Sequence, residues 1–155
     1  MAQTYKALVA AALPQIRELF PWDLEELRAQ CPDVLVVDIR EPAEVAAGTI
    51  PGSLSVPRGI LESACDWGYS DTVPELVQAR QRPVVLACRS GNRSALAALT
   101  LHWMGYEQVY SLKTGVRGWN DYELPLVNAE GQIVDIDEAE QWLSPPVRPE
   151  QQGRG

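Results

Sequence analysis

The stretch PVVLACRSGNRSALAALTLHWMG, residues 83–105, holds a strand, a tight loop and a helix in immediate succession. Residues 83–87 are a continuous apolar run, the pattern of a strand buried on both faces. Gly91 allows the chain to curl, and the spacing of Leu96, Leu99 and Trp103 predicts a helix over 92–104, facing the core along those three residues and stopped by Gly105. The same alternation continues outward. Upstream, residues 34–37 form a second apolar run ending at Asp38, and residues 41–47 predict a short helix with Pro42 at its start and Gly48 at its stop. The turn TIPG at 49–52 leads to a short strand over 53–56. Residues 58–71 read as irregular with a helical piece at 60–64, and residues 73–80 as a helix that turns Leu76 and Val77 inward. Downstream, residues 108–111 form a strand, and Gly115 and Gly118 break the chain before a helix over 119–123. Strands alternating with helices imply right-handed crossovers and a parallel sheet covered on both faces, which is the α/β class.

The two ends depart from this pattern. Residues 7–13 are apolar behind Lys6, and Ile16, Leu19 and Phe20 continue an amphipathic spacing interleaved with Arg17 and Glu18. This predicts a folded helix packed on the domain rather than a targeting signal, in an N-terminal helical extension over 1–30. Beyond Pro125, residues 126–127 and 132–134 flank 128–131 like a small hairpin, and 137–143 predicts a short helix within a C-terminal extension over 127–143. Residues 144–155 contain three prolines and no periodic apolar pattern, and read as a disordered tail.

The 155 residues suffice for one domain, residues 31–126, with appended ends. With 46% AVILMFWYC residues and 22% charged residues the chain can bury one real core. Its 13 Lys and Arg against 21 Asp and Glu give a net charge of -8, which disfavours nucleic acid and anionic membrane surfaces as partners. No run approaches the ~18 apolar residues of a transmembrane helix. The three cysteines, Cys31, Cys65 and Cys88, lack both CxxC spacing and an even count. A reducing, cytoplasmic setting with free thiols follows.

In an open parallel sheet, ligands bind at the carboxyl ends of strands, and Cys88 stands there. The loop behind it closes onto a helix N-terminus, where unpaired N–H groups and the positive end of the helix dipole face a concavity fit for an anion. Arg89 and Arg93 add two cations that favour the thiolate and attract an anionic substrate to an otherwise acidic protein. Ser94 is placed to cap the helix or to bond the sulfur. A cysteine after a strand is more often just a small buried hydrophobe. Here strand, cysteine, glycine-bearing loop, paired arginines and helix start coincide, and together they mark a nucleophile.

CRSGNRS, residues 88–94, resembles the active-site loop of single-domain rhodaneses, the thiosulfate sulfurtransferases. VVDIREPAEVAAGTIPGSLSVP, residues 36–57, is similar to the family's first signature, and SLKTGVRGWNDYELPL, residues 111–126, to its closing one. The resemblance implies a rhodanese-like fold, a mainly parallel sheet of about five strands with helices on both faces. It also implies sulfur transfer through a persulfide on Cys88, held by the N–H groups of Arg89, Ser90, Gly91, Asn92, Arg93 and Ser94. The donor would be thiosulfate or a similar small molecule, and the acceptor cyanide, a thiol or a sulfur-carrier protein. No metal or organic cofactor is required. The chain departs from the family at Thr49, where a turn histidine is usual, and at Thr114-Gly115, where a Gly-Gly pair is usual.

Phosphatases and arsenate reductases of related architecture have five residues between cysteine and arginine, whereas four separate Cys88 from Arg93. The smaller cradle suits a sulfane sulfur. Catalytically silent interaction modules of this fold usually lack the cysteine. Among further residues, Asp38 and Arg40 end the first strand and are candidate pocket residues, although a structural role with Arg40 paired to Glu44 is the more natural reading. Arg58 is placed to line the pocket mouth or to sit as a solvated surface arginine. Cys65 could resolve a persulfide, against the more ordinary reading of a thiol without function, and Cys31 looks structural. His102 lies two turns into the helix, too far for a Cys-His dyad, and Trp67, Trp103 and Trp119 read as core or pocket-wall aromatics. The acidic run 135–140 reads as a solvated helix face.

Overall fold

The structure is a computed structural model that describes residues 2–153. Helix α1 (Tyr5–Ala12) begins where the Thr4 hydroxyl accepts the Ala7 N–H at 3.0 Å, and it ends in a single 3₁₀ turn containing Pro14. Strand β1 (Arg17–Leu19) follows, then α2 (Pro21–Gln30), β2 (Leu35–Asp38), α3 (Pro42–Ala47) and β3 (Leu54–Ser55). A connecting segment carries two short helices, α4 (Leu61–Ala64) and α5 (Pro74–Val77). The central unit is β4 (Pro83–Ala87), α6 (Asn92–Trp103) and β5 (Gln108–Leu112), followed by α7 (Gly115–Asp121) and α8 (Ile136–Leu143).

The five strands form one parallel sheet in the order β1-β5-β4-β2-β3. Period-two alternation divides the core. Val84, Leu86 and Cys88 join Ala97, Ala98 and Leu101 of α6 and Leu61 and Leu76 on one face. Val85 and Ala87 join Leu24, Val116, Trp119 and Leu143 on the other. Register aligns Asp38 with Ala87 and Leu86 with Ser111, so the carboxyl ends of β2, β4 and β5 lie level beneath the 88–94 loop.

Several sequence expectations change. Residues 17–19 are strand, not helix: Pro14 interrupts α1, and backbone pairing of Arg17 and Leu19 with Tyr110 and Leu112 outweighs a weak amphipathic spacing. The N-terminal segment therefore contributes an edge strand to the sheet. The 73–80 helix is a single turn, although Leu76 and Val77 are buried as expected. In α6 the buried face is Ser94, Ala97, Ala98 and Leu101, while Leu96 and Leu99 are half-buried and Trp103 is 71% exposed. Small residues let α6 approach the sheet closely, so its bulkier residues fall to the flanks. Gly115 and Gly118 lie inside α7 rather than before it. Val127 bridges both Thr49 and Ile133, which forms the expected hairpin, and Asp135 caps α8. The tail through residue 153 is exposed with one 3₁₀ turn at Pro149–Gln151. Residues 154 and 155 lie outside the described residues.

Candidate active site

Cys88 sits at the carboxyl end of β4 and is 1% exposed. Its Sγ accepts hydrogen bonds from the backbone N–H of Gly91 at 3.1 Å and of Ser94 at 3.3 Å, and lies 3.3 Å from Ser94 Oγ. Gly91 adopts φ +98°, the left-handed conformation that bends its amide back toward the sulfur. Ser94 thus serves the sulfur rather than the helix cap. Its hydroxyl is in turn 2.7 Å from the hydroxyl of Ser111, a fully buried residue of β5. The sulfur thus receives two backbone donors, from Gly91 and from the first turn of α6, and its own S–H is directed at Ser94 Oγ, surroundings that favour negative charge on the sulfur.

The outer side of the loop is held by α7. The Val116 N–H donates to the Cys88 carbonyl at 2.8 Å and the Arg117 N–H to the Arg89 carbonyl at 2.9 Å. That approach requires Gly115. A Cβ there would stand 2.5 Å from the Cys88 oxygen and from the Arg89 carbon and oxygen. Sequence reasoning read this glycine as a chain break, and missed Ser111 because a serine inside a strand carries no local signal of what lies opposite.

The two arginines differ. Arg93 donates to both carboxylate oxygens of Glu44 at 2.8 and 2.9 Å. This pairing holds the Glu44 carboxyl below the ordinary carboxylate range, against the opposing effect of burial. The Arg93 charge is thereby largely compensated. Arg89 is half-buried and makes no ion pair among the described residues. Glu44 had been expected to pair with Arg40. Instead, Arg40 and Asp38 form a fully buried pair, with Nη2 to Oδ2 at 2.8 Å, and Arg40 Nη2 also donates to the Gly48 carbonyl at 2.6 Å. Thr49 donates its hydroxyl to Asp38 at 2.7 Å, which accounts for a threonine at this turn. Asp38 and Arg40 are closed off from solvent and brace the turn after α3.

Arg58 pairs with Glu62 and reaches Thr100 of α6 at 3.4 Å. Thr100 lies eight residues beyond Asn92, roughly 12 Å along the helix, so the Arg58 guanidinium is turned toward the middle of α6, while its backbone donates to the Ile39 carbonyl at the carboxyl end of β2. Cys65 is fully buried, and burial pushes its thiol up beside Tyr106. The Cys65 carbonyl accepts from Arg80, whose own carbonyl accepts the Glu107 N–H just before β5, so Cys65 lies toward the end of the sheet opposite Cys88. Cys31 closes the end of α2, and the exposed His102 sits in the last turn of α6. Trp119 is buried and bonds the Pro125 carbonyl at 2.9 Å, whereas Trp67 and Trp103 are exposed and form no wall.

Two clefts flank the loop. One, of about 260 Å³, is bounded by Ser90, Thr114, Arg117, Gly118 and Asp121. The other, also about 260 Å³, is lined by Ser90, Gly91, Asn92 and Thr114 and by Val9, Leu13, Glu18 and Lys113. The α1 side was not foreseen as part of the site. Tyr5, one turn before Val9, has its phenol pushed up by burial and then by the negative charge of Cys88, with Arg93 and Arg89 opposing.

A buried cysteine cradled by the amides of a strand-to-helix loop agrees with the match of residues 22–122 to the rhodanese-like domain. The chain belongs to the rhodanese family. Over 116 residues it is 36% identical to a sulfurtransferase from Allochromatium vinosum, covering 75% of this chain and 99% of that protein. It is 33% identical over 92 residues to the thiosulfate sulfurtransferase GlpE of Tolumonas auensis, covering 58% of this chain and 76% of the relative. A solved structure from Rhodopseudomonas palustris, of a protein of unknown function described as a possible tyrosine phosphatase, superimposes with a TM-score of 0.74 at 34% identity, covering 81% and 96% of the two chains. As a rhodanese the chain falls among sulfurtransferases, and among its described residues no helix is long and apolar enough to cross a membrane.

Proposed function

We propose that this rhodanese moves a sulfane sulfur from thiosulfate, or a similar small anionic donor, to a thiophilic acceptor through a persulfide on Cys88. The observation that carries the reading is the convergence of the Gly91 and Ser94 amides and the Ser94 hydroxyl on Sγ, inside a loop with four residues between Cys88 and Arg93. The Cys88 thiolate attacks the outer sulfur of thiosulfate, the sulfur–sulfur bond of the donor breaks, and sulfite leaves with the bonding pair. The charge that sat on Sγ now sits on the transferred sulfur, beside the same donors. Cyanide, a thiol or the thiol of a carrier protein then attacks that sulfur, and the Cys88 thiolate is restored. The chemistry suits a reducing compartment such as the cytoplasm, where Cys88 stays free.

The sulfurtransferase name of the Allochromatium vinosum relative and the thiosulfate sulfurtransferase name of GlpE support this assignment. Two assays test it. With thiosulfate and cyanide the protein should release sulfite, and thiosulfate alone should leave one added sulfur atom on Cys88 by intact-mass and peptide analysis. Both signals should vanish in Cys88→Ser. Cys88-dependent release of phosphate from an aryl phosphate without sulfur transfer would assign the loop to phosphoryl chemistry instead.

A further inference from the structure

The cleft between α1 and the loop has a wall that lies outside the matched family region, which begins at residue 22. Val9 and Leu13 supply that wall. Gly91, whose amide donates to Sγ at 3.1 Å, also lines this cleft, so the cleft borders the loop that holds the sulfur. The wall is preformed. Thr4 caps α1, Val9 and Ala12 are buried on the side that packs against α6, and β1 ties the segment to β5 four residues after Leu13–Gln15 begins its turn.

The size and chemistry of the cleft select its occupant. About 260 Å³ corresponds to roughly nine water volumes at ~30 Å³ each, far more than a diatomic cyanide fills and just below the ~300 Å³ where organic-ligand pockets begin. Val9 and Leu13 offer apolar surface, and Leu13 is 39% exposed although it borders a site expected to handle anions. Glu18 and Lys113, the latter held over the Phe20 ring at 5.1 Å, bring opposite charges to the lining, so the cleft has no net cationic character to draw a second small dianion. Carbon fits this wall better than an oxyanion.

We propose that this cleft is the acceptor site, that it takes the carbon body of a low-molecular-weight organic thiol, and that Leu13 and Val9 set the acceptor preference. The proposal rests on the sulfurtransferase reading above. In the step it serves, the acceptor thiolate attacks the outer sulfur of the Cys88 persulfide and forms a new sulfur–sulfur bond. The bond to Sγ breaks with its electron pair returning to Cys88, and an organic persulfide departs. Two anions enter and two leave, with no external oxidant or reductant.

A series of ω-mercaptoalkanols from two to six carbons, offered to the thiosulfate-loaded full-length protein, tests this. Rate constants for persulfide discharge, divided by KM, should rise along the series by up to about four-fold per methylene buried. Leu13→Asp should flatten that rise. Leu8→Asp, at a position on α1 that is 48% exposed and outside the cleft, should leave it intact. Leu13→Ala should flatten it partly, and circular dichroism with unchanged cyanide-driven discharge in Leu8→Asp controls for the helix. A persulfide that cyanide strips but mercaptoalkanols discharge at a rate independent of chain length overturns the cleft assignment alone. A wild-type protein on which thiosulfate leaves no persulfide overturns the sulfurtransferase reading and this one together.

Discussion

Replacing Gly115 by alanine tests whether the contact between α7 and the loop is what holds the sulfur cradle. Two effects add. Gly115 has φ +64°, and an alanine there carries the left-handed penalty of roughly 1–2 kcal/mol. Its Cβ would also stand 2.5 Å from three backbone atoms of Cys88 and Arg89, none of which belongs to a flexible side chain that could swing away. Forcing backbone apart in a packed region costs about 1–3 kcal/mol, for a total of roughly 2–5 kcal/mol. In a chain of this length that lowers Tm by about 4–20 °C. Gly131 separates the two effects: it has φ +78° and nothing within 4 Å of an added Cβ, so Gly131→Ala should show only the dihedral part, about 2–8 °C. The displaced atoms in Gly115→Ala are the carbonyls that Val116 and Arg117 hold, so the Gly91 and Ser94 amides should lose their aim and persulfide formation should slow by at least ten-fold. Gly131→Ala should transfer sulfur normally. Thermal unfolding and thiosulfate turnover measured side by side decide it. Equal Tm losses in the two variants, with normal turnover in Gly115→Ala, would refute the argument that close approach at this residue builds the site.

Three further outcomes follow from the site. Ser111→Ala leaves the Ser94 hydroxyl without its buried partner, and should cost about 1 kcal/mol of stability and slow persulfide formation several-fold, read by denaturant unfolding and single-turnover mass analysis. Arg93→Ala leaves Glu44 as an uncompensated carboxylate near the loop and should raise KM for thiosulfate more than Arg89→Ala does; Glu44→Gln added to Arg93→Ala should recover part of the loss, and strict additivity in that cycle would show that the pair does not act as a unit. The Glu44 carboxyl is lowered by Arg93, so its contribution is complete above the unfolded value near ~4.3 and is lost as pH falls through the lower folded value. The pair is about one-third exposed, so that contribution is no more than about 1 kcal/mol, and the stability difference between wild type and Glu44→Gln should vanish in strong acid; a difference that persists there means Gln itself disturbs the fold.

The parts of this structure that were legible in the sequence are those set by local chemistry. Residues 83–87 had to be a doubly buried strand, because five consecutive apolar positions leave no solvent face. Pro42 and Gly48 bracket α3 for the same kind of reason. What escaped depends on who lies across the gap. The core face of α6 is built from Ala97, Ala98 and Ser94, and a reading that follows large apolar residues chooses the wrong side. β1 exists because β5 offers an edge, which no pattern within residues 16–20 announces. Glu44 lies two residues after Pro42, an ordinary first-turn carboxylate, and only the tertiary fold brings it to Arg93, 49 residues away.

In this acidic protein, of net charge -8, two of the arginines near Cys88 are paired with carboxylates. Side-chain charge contributes less than the sequence suggests, since Glu44 compensates Arg93 and Asp38 compensates Arg40. The groups around Sγ are the Gly91 and Ser94 amides, which donate to it, and the Ser94 hydroxyl, backed by Ser111, to which the thiol donates; they carry no net charge and retain their dipoles at any ionic strength. Such an arrangement selects for size as much as for charge. The loop closes on Sγ through the amides of Gly91 at 3.1 Å and Ser94 at 3.3 Å. The energetic demand then falls on geometry, which is why the residues that matter beyond Cys88 are small: Gly91 to turn the amide, Ser94 and Ser111 to fit beneath it, and Gly115 to let α7 press the loop into place.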